Sequence, residues 1–172
     1  MFLNFLKDFS TKKIVKNRLS NVKHLSTDTI IKKVGIIFDE TYFYERESLV
    51  QELIQNGIKE NNIQILVFKD KIKKNETFDY PIFSYKDLTW NANVDKKEVK
   101  DFVAEDFDLL INYYDTEKVA LLLVSHLSKA SFKVGFATID QRLNHFMINT
   151  NAENYKVFVE ELFKYLKILN KI

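Results

Sequence analysis

A chain of 172 residues with no cysteine, three glycines and one proline excludes disulfides, thiolate catalysis, cysteine-based metal sites and a glycine-rich phosphate loop. Its hydrophobic fraction of 46% and charged fraction of 29% are those of one soluble globular domain with a sizeable core. The net charge of +2 hides an asymmetry: residues 1–33 hold eight basic and two acidic residues, a net +6, which leaves −4 on the remainder, so a basic arm precedes an acidic body.

Phe2, Phe5, Leu6 and Phe9 recur at helical spacing at the start of the chain. Beyond Ser10 and Thr11, Val15, Leu19 and Val22 do the same, with Lys12, Lys16 and Lys23 on the adjoining side. The spacing predicts one or two amphipathic helices ending near Leu25. Lys7 and Asp8 interrupt the opening apolar stretch, and no small-residue cleavage site follows. Neither a signal peptide nor a membrane span of about 20 apolar residues is expected, and the expected location is the cytoplasm. Residues 26–29 read as a polar linker. The chain therefore divides into a basic helical arm, 1–29, and a single α/β domain, 30–172.

Residues 34–38 form the first buried strand, ended by Asp39 and Glu40. Gly35 inside it implies close approach by another element. A helix follows over 45–56, with Leu49, Val50, Leu53 and Ile54 facing inward and Gly57 as its left-handed C-terminal cap. Residues 63–68 are a second strand and 70–79 a charged loop. Pro81 places the short strand 80–85 at a sheet edge. Residues 88–94 are irregular and 96–104 a short helix.

The apolar run 107–111 shows no alternation, as in a strand covered on both faces. Asp115 is placed to cap the next helix, with Glu117 in its first turn. That helix is apolar around most of its girth, apart from a polar stripe of Lys118, Ser125, Ser128 and Lys129. Strands are expected at 132–137 and 146–148. Thr150 and Glu153 have capping-box spacing and open a final helix to about Leu169. The order of elements makes the class α/β. The architecture expected is a Rossmann-like three-layer sandwich on a mainly parallel sheet of five to six strands. The strand order is 3-2-1-4-5, with the short last strand at the far edge.

The segments DLLI at 108–111 and ASFKVGF at 130–136 resemble the N-terminal Rossmann-like domain of lipopolysaccharide heptosyltransferases. That resemblance implies the fold. The second domain of those enzymes, which holds the nucleotide sugar, has no counterpart expected here. The basic arm, KKVGIIFDE, FDLLINYY and SKASFKVGF are also similar to a family of small Bacteroidota proteins of unknown function. Membership would imply no particular activity.

In a doubly wound sheet, ligands bind beyond the carboxyl ends of the strands at the switch point. Those ends carry Asp39, Glu40, Tyr42 and Tyr44 on one side, and Tyr113, Tyr114 and Asp115 on the other. Such an acidic, aromatic rim suits a cationic or neutral ligand, or a partner's basic segment. The same residues could instead cap helices and cover the sheet edge. His24, His126 and His145 are scattered, so no metal centre, cofactor or catalytic residue is expected. In the arm, Lys12, Lys13, Lys16, Arg18 and Lys23 could neutralise the phosphates of RNA or a ribonucleoprotein. Phe2, Leu3, Phe5 and Leu6 could instead enter a membrane interface, or the whole arm could pack on the domain. The function expected is a non-enzymatic binding or adaptor protein with an anionic partner. The alternatives are a ligand-binding domain or enzyme using the rim, and a peripheral membrane protein.

Overall fold

The computed structural model describes residues 12–19, 29–41, 43–89 and 91–172. Six parallel strands make one sheet in the order β3-β2-β1-β4-β5-β6. They are β1 (Val34–Asp39), β2 (Ile63–Phe68), β3 (Ile82–Phe83), β4 (Leu109–Tyr113), β5 (Phe132–Phe136) and β6 (Phe146–Ile148). Every residue of β1, β4 and β5 is buried, as unalternating apolar runs between two helical layers require. Ile36 of β1 lies opposite Ile65 of β2 on one side and Ile111 of β4 on the other. The sheet order and the edge position of β3, which follows Pro81 directly, agree with the sequence reading.

Residues 12–18 are helical (α1). The other helices are α2 (Arg46–Gln55), α3 (Lys97–Ala104), α4 (Val119–Leu127) and α5 (Tyr155–Ile168). α2 packs with α5 on one face of the sheet, and α3 with α4 on the other. On the α5 face, Tyr113 meets Phe43, Phe136 and Phe158 at centroid distances of 4.8, 5.1 and 5.1 Å. Aromatic pairs of this kind add about 0.5–1.5 kcal/mol each beyond the area they bury. α1 belongs to the body, because Val15 and Leu19 are 1% and 6% exposed and join the core.

Both glycine readings hold. An added Cβ on Gly35 would lie 2.7 Å from Cε2 of Phe107, so only glycine lets that ring cross β1. Gly57 has φ of +103° just beyond α2, and its N–H donates to the Ile54 carbonyl.

Both side-chain helix starts were misplaced. α4 begins at Val119 after Lys118, without a side-chain cap, and Asp115 instead accepts the Ala152 N–H at 2.9 Å. α5 begins at Tyr155, past Thr150 and Glu153. The Asn151 side chain accepts the Asn154 N–H at 3.2 Å, and this turn holds the chain out of the helix for longer. The polar stripe expected on α4 is also corrected in part. Lys118, Ser125 and Ser128 are all buried, because each finds a polar partner inside the fold. β4 starts two residues later than expected, since Asp108 and Leu109 both donate to the Lys33 carbonyl and regular pairing begins at Leu109 opposite Val34.

Candidate functional site

The carboxyl ends of the strands hold two linked groups of charged side chains. The first is centred on Lys118, the residue before α4. Its ammonium lies 2.7 Å from Asp39 Oδ2 and 3.1 Å from Asp70 Oδ1. It also donates to the Thr41 hydroxyl at 2.8 Å. Asp39 is 5% exposed and accepts the Thr41 N–H at 3.0 Å. β1, the loop after β2 and the start of α4 are thus tied by one cation between two carboxylates. Beside it, Glu40 accepts from Arg46 at 3.0 Å and from the Tyr80 hydroxyl at 2.8 Å. The Arg46 guanidinium stacks 3.7 Å from the centroid of the Tyr80 ring, a cation–π contact. Burial raises the Tyr80 phenol above its ordinary pKa.

Two tyrosines of the expected rim, Tyr113 and Tyr114, point into the protein. Tyr113 is fully buried and donates to the Ala152 carbonyl at 2.7 Å. Tyr114 is 1% exposed and shares a hydrogen bond of 2.6 Å with the Ser125 hydroxyl. Burial pushes both phenols far above the ordinary tyrosine pKa, so they are neutral hydrogen-bonding groups at physiological pH. Asp115 holds the Ala152 N–H, and its carbonyl accepts the Thr138 hydroxyl at 2.8 Å. Tyr44 is 75% exposed. Tyr42 lies outside the described residues.

The second group fastens α1 over loops that leave the carboxyl ends of β3, β4 and β5. Glu117, between β4 and α4, receives Lys16 Nζ at 2.7 Å and Lys12 Nζ at 3.7 Å on Oε2. Its Oε1 accepts the Asp140 N–H at 3.1 Å. Asp140 in turn accepts Nε and Nη2 of Arg142 at 2.9 and 2.6 Å, and that guanidinium holds its carboxyl below the usual range. Arg142 Nη1 reaches the carbonyls of Lys16 and Leu19 at 3.0 and 3.3 Å. A guanidinium there satisfies backbone acceptors that a helix end leaves open. Arg18 donates to the Asn91 carbonyl at 3.2 Å. Lys13 is exposed. Lys23 lies outside the described residues, as do Phe2, Leu3, Phe5 and Leu6.

A buried polar chain crosses the α4 face. Asn144 Oδ1 accepts from Asn112 at 2.8 Å, and Asn112 Oδ1 accepts from Ser125 at 2.7 Å. Lys133, 6% exposed, donates to the carbonyls of Ser125 and Ser128 at 2.7 Å each. Burial lowers its pKa to about 8. Away from the rim, a groove of about 360 Å³ between β2 and α3 is lined by Ile65, Pro81 and Phe102 together with Glu98, Asp101 and Glu105. Among the described residues, no group of three or more His, Asp or Glu side chains is placed to hold a metal ion.

Sequence reasoning therefore named Asp39 and Glu40 without their partners, and named Lys12 and Lys16 without Glu117. It did not find Asp70 as a partner of Lys118, the hold of Arg142 on the end of α1, or the inward position of Lys118. A lysine next to six unbroken apolar residues, 119–124, was the available signal for the last of these. No curated protein and no solved structure matches the chain. Residues 7–169 match the model of DUF6913, a family of unknown function, and the chain belongs to that family.

Proposed function

We propose that the protein is a non-enzymatic cytoplasmic binding protein that meets an anionic partner, RNA or a ribonucleoprotein surface, with the basic side of α1. The observation that carries this reading is the way α1 is held. Its apolar residues Val15 and Leu19 are buried in the body. The carbonyls of Lys16, in its last turn, and of Leu19, just beyond it, are tied to Arg142. Lys13 and Arg18 stay exposed, while Lys12 and Lys16 keep 43% and 36% of their side-chain surface. A helix ordered in advance loses little entropy when a ligand binds. The same burial speaks against α1 as a membrane anchor, since its apolar side is already in use.

Binding of a labelled single-stranded RNA, followed by fluorescence anisotropy across a salt series, tests the proposal. Four cations give a slope of log K against log salt of roughly −3, or about a 50-fold loss between about 50 and 200 mM salt. Replacing Lys12, Lys13 and Lys16 together by Gln leaves a slope of about −1. A triple variant that binds with the parent's affinity and slope would refute the reading.

The Lys118 centre favours a second reading, a small-ligand site or enzyme at the switch point. Buried charges are costly where apolar packing would serve, and they cluster at functional sites. A metabolite retained in native mass spectrometry and lost in Asp39→Asn would support it. Retention unaltered by Asp39→Asn and Asp115→Asn together would count against it.

A further inference from the structure

We infer that Glu117 is a built-in competitor for the anion site of α1: its carboxylate occupies the position between Lys12 and Lys16 that a phosphate of the RNA partner takes. This rests on the RNA-binding reading above. Glu117 Oε2 is 2.7 Å from Lys16 Nζ, a charge-assisted hydrogen bond, and 3.7 Å from Lys12 Nζ, an ion pair without one. The carboxylate is aimed there by its other oxygen, which accepts the Asp140 N–H at 3.1 Å. Asp140 is itself gripped by Arg142, which also holds the end of α1. The acid and both lysines are therefore fixed to one framework. The side chains of Glu117, Lys16 and Lys12 are 22%, 36% and 43% exposed, so the group is open to an incoming phosphate. Val15 and Leu19 hold α1 in place without the ion pairs. Exchange of one anion for another thus leaves the helix seated, and Glu117 sets how strong an anion the site requires.

The test compares the parent, Glu117→Gln, Lys16→Gln and the double variant in the same RNA anisotropy assay. Glutamine keeps an oxygen for the Asp140 N–H and removes only the charge. Glu117→Gln is expected to bind RNA about threefold to tenfold more tightly, since one weak surface pair is lost at each lysine. Lys16→Gln is expected to cost about twofold in the parent, where the phosphate contact of Lys16 is partly offset by loss of its pair with Glu117. In the Glu117→Gln background the cost rises to about threefold to fivefold. Amide exchange over residues 15–19 is expected to stay as slow in Glu117→Gln as in the parent. Binding by Glu117→Gln alone, with none by the parent, would also support the inference. A parent that binds through α1, with Glu117→Gln no tighter, overturns the competitor and leaves the RNA reading standing. Absence of binding by all four proteins overturns both. Tighter binding accompanied by faster exchange overturns the competitor in favour of simple release of the helix. A gain seen only with phosphatidylserine vesicles overturns the assignment of RNA as the partner.

Discussion

Replacing Lys118 by Met is the sharpest test of how the carboxyl end of the sheet is built. Methionine keeps much of the stem and removes the ammonium. That ammonium sits 2.7 Å from Asp39 Oδ2 and 3.1 Å from Asp70 Oδ1. At 2.7 Å and an effective dielectric constant near 20, one such pair is worth about 6 kcal/mol before desolvation is counted. Desolvation cancels most of that gain. The loss of one partner is costly because the other charge stays behind in the protein. Asp39 is 5% exposed and would retain only the Thr41 N–H among its hydrogen bonds described above. The expected destabilisation is about 3–5 kcal/mol, a large part of the roughly 5–15 kcal/mol typical of a domain. Urea unfolding should show it as a midpoint lowered by about 2 M, given a slope of about 1–3 kcal/mol per molar. Adding Asp39→Asn to the methionine variant should recover stability, since the stranded charge is then gone. A single variant within about 1 kcal/mol of the parent, or a double variant no better than the single one, would refute the reasoning.

Gly35→Ala would place a Cβ 2.7 and 2.8 Å from two atoms of the Phe107 ring, which packs against Phe102 at 4.9 Å between centroids. The expected cost is about 1–3 kcal/mol, read by thermal unfolding, with partial recovery when Phe107→Leu is added; an unchanged melting temperature would contradict the packing. Lys133 binds its proton less tightly when folded, at a pKa of about 8 against an ordinary 10.5. The unfolded chain therefore holds more protons between those pH values, and stability rises with pH across that window. The rise amounts to about 3 kcal/mol at most, and below about pH 8 the full penalty remains. Lys133→Met should remove this rise, so the stability difference between parent and variant should change from pH 8 to 10.5; a constant difference would show that Lys133 is not the group responsible.

The expected rim shows where reading residues in order succeeds and where it stops. Asp39 and Glu40 were legible as acids at the end of a strand, because strand ends are marked by a local change of composition. Their partners were not legible, because Lys118 is 79 positions from Asp39 and Tyr80 is 40 positions from Glu40. Tyr113 and Tyr114 looked like rim residues because the strand was placed two residues too early. Correct register carries Tyr113 into β4, and Tyr114 is buried just beyond it. Lys12 and Lys16 were legible as a basic helical side. Nothing nearby in the chain announces Glu117 or Arg142, which lies 126 positions from Lys16.

By itself the sequence determined a mainly parallel core, since apolar runs of five or six residues separated by helical segments suit strands covered on both faces; that all six strands are parallel is a finding of the structure. It likewise determined the sharp features that backbone sterics dictate, glycine at 35 and 57 and proline beside the edge strand. Only the tertiary structure decided which charges meet. An ion pair depends on distances of a few ångströms between side chains far apart in the chain, and those distances exist only once the six strands have set the positions of their loops.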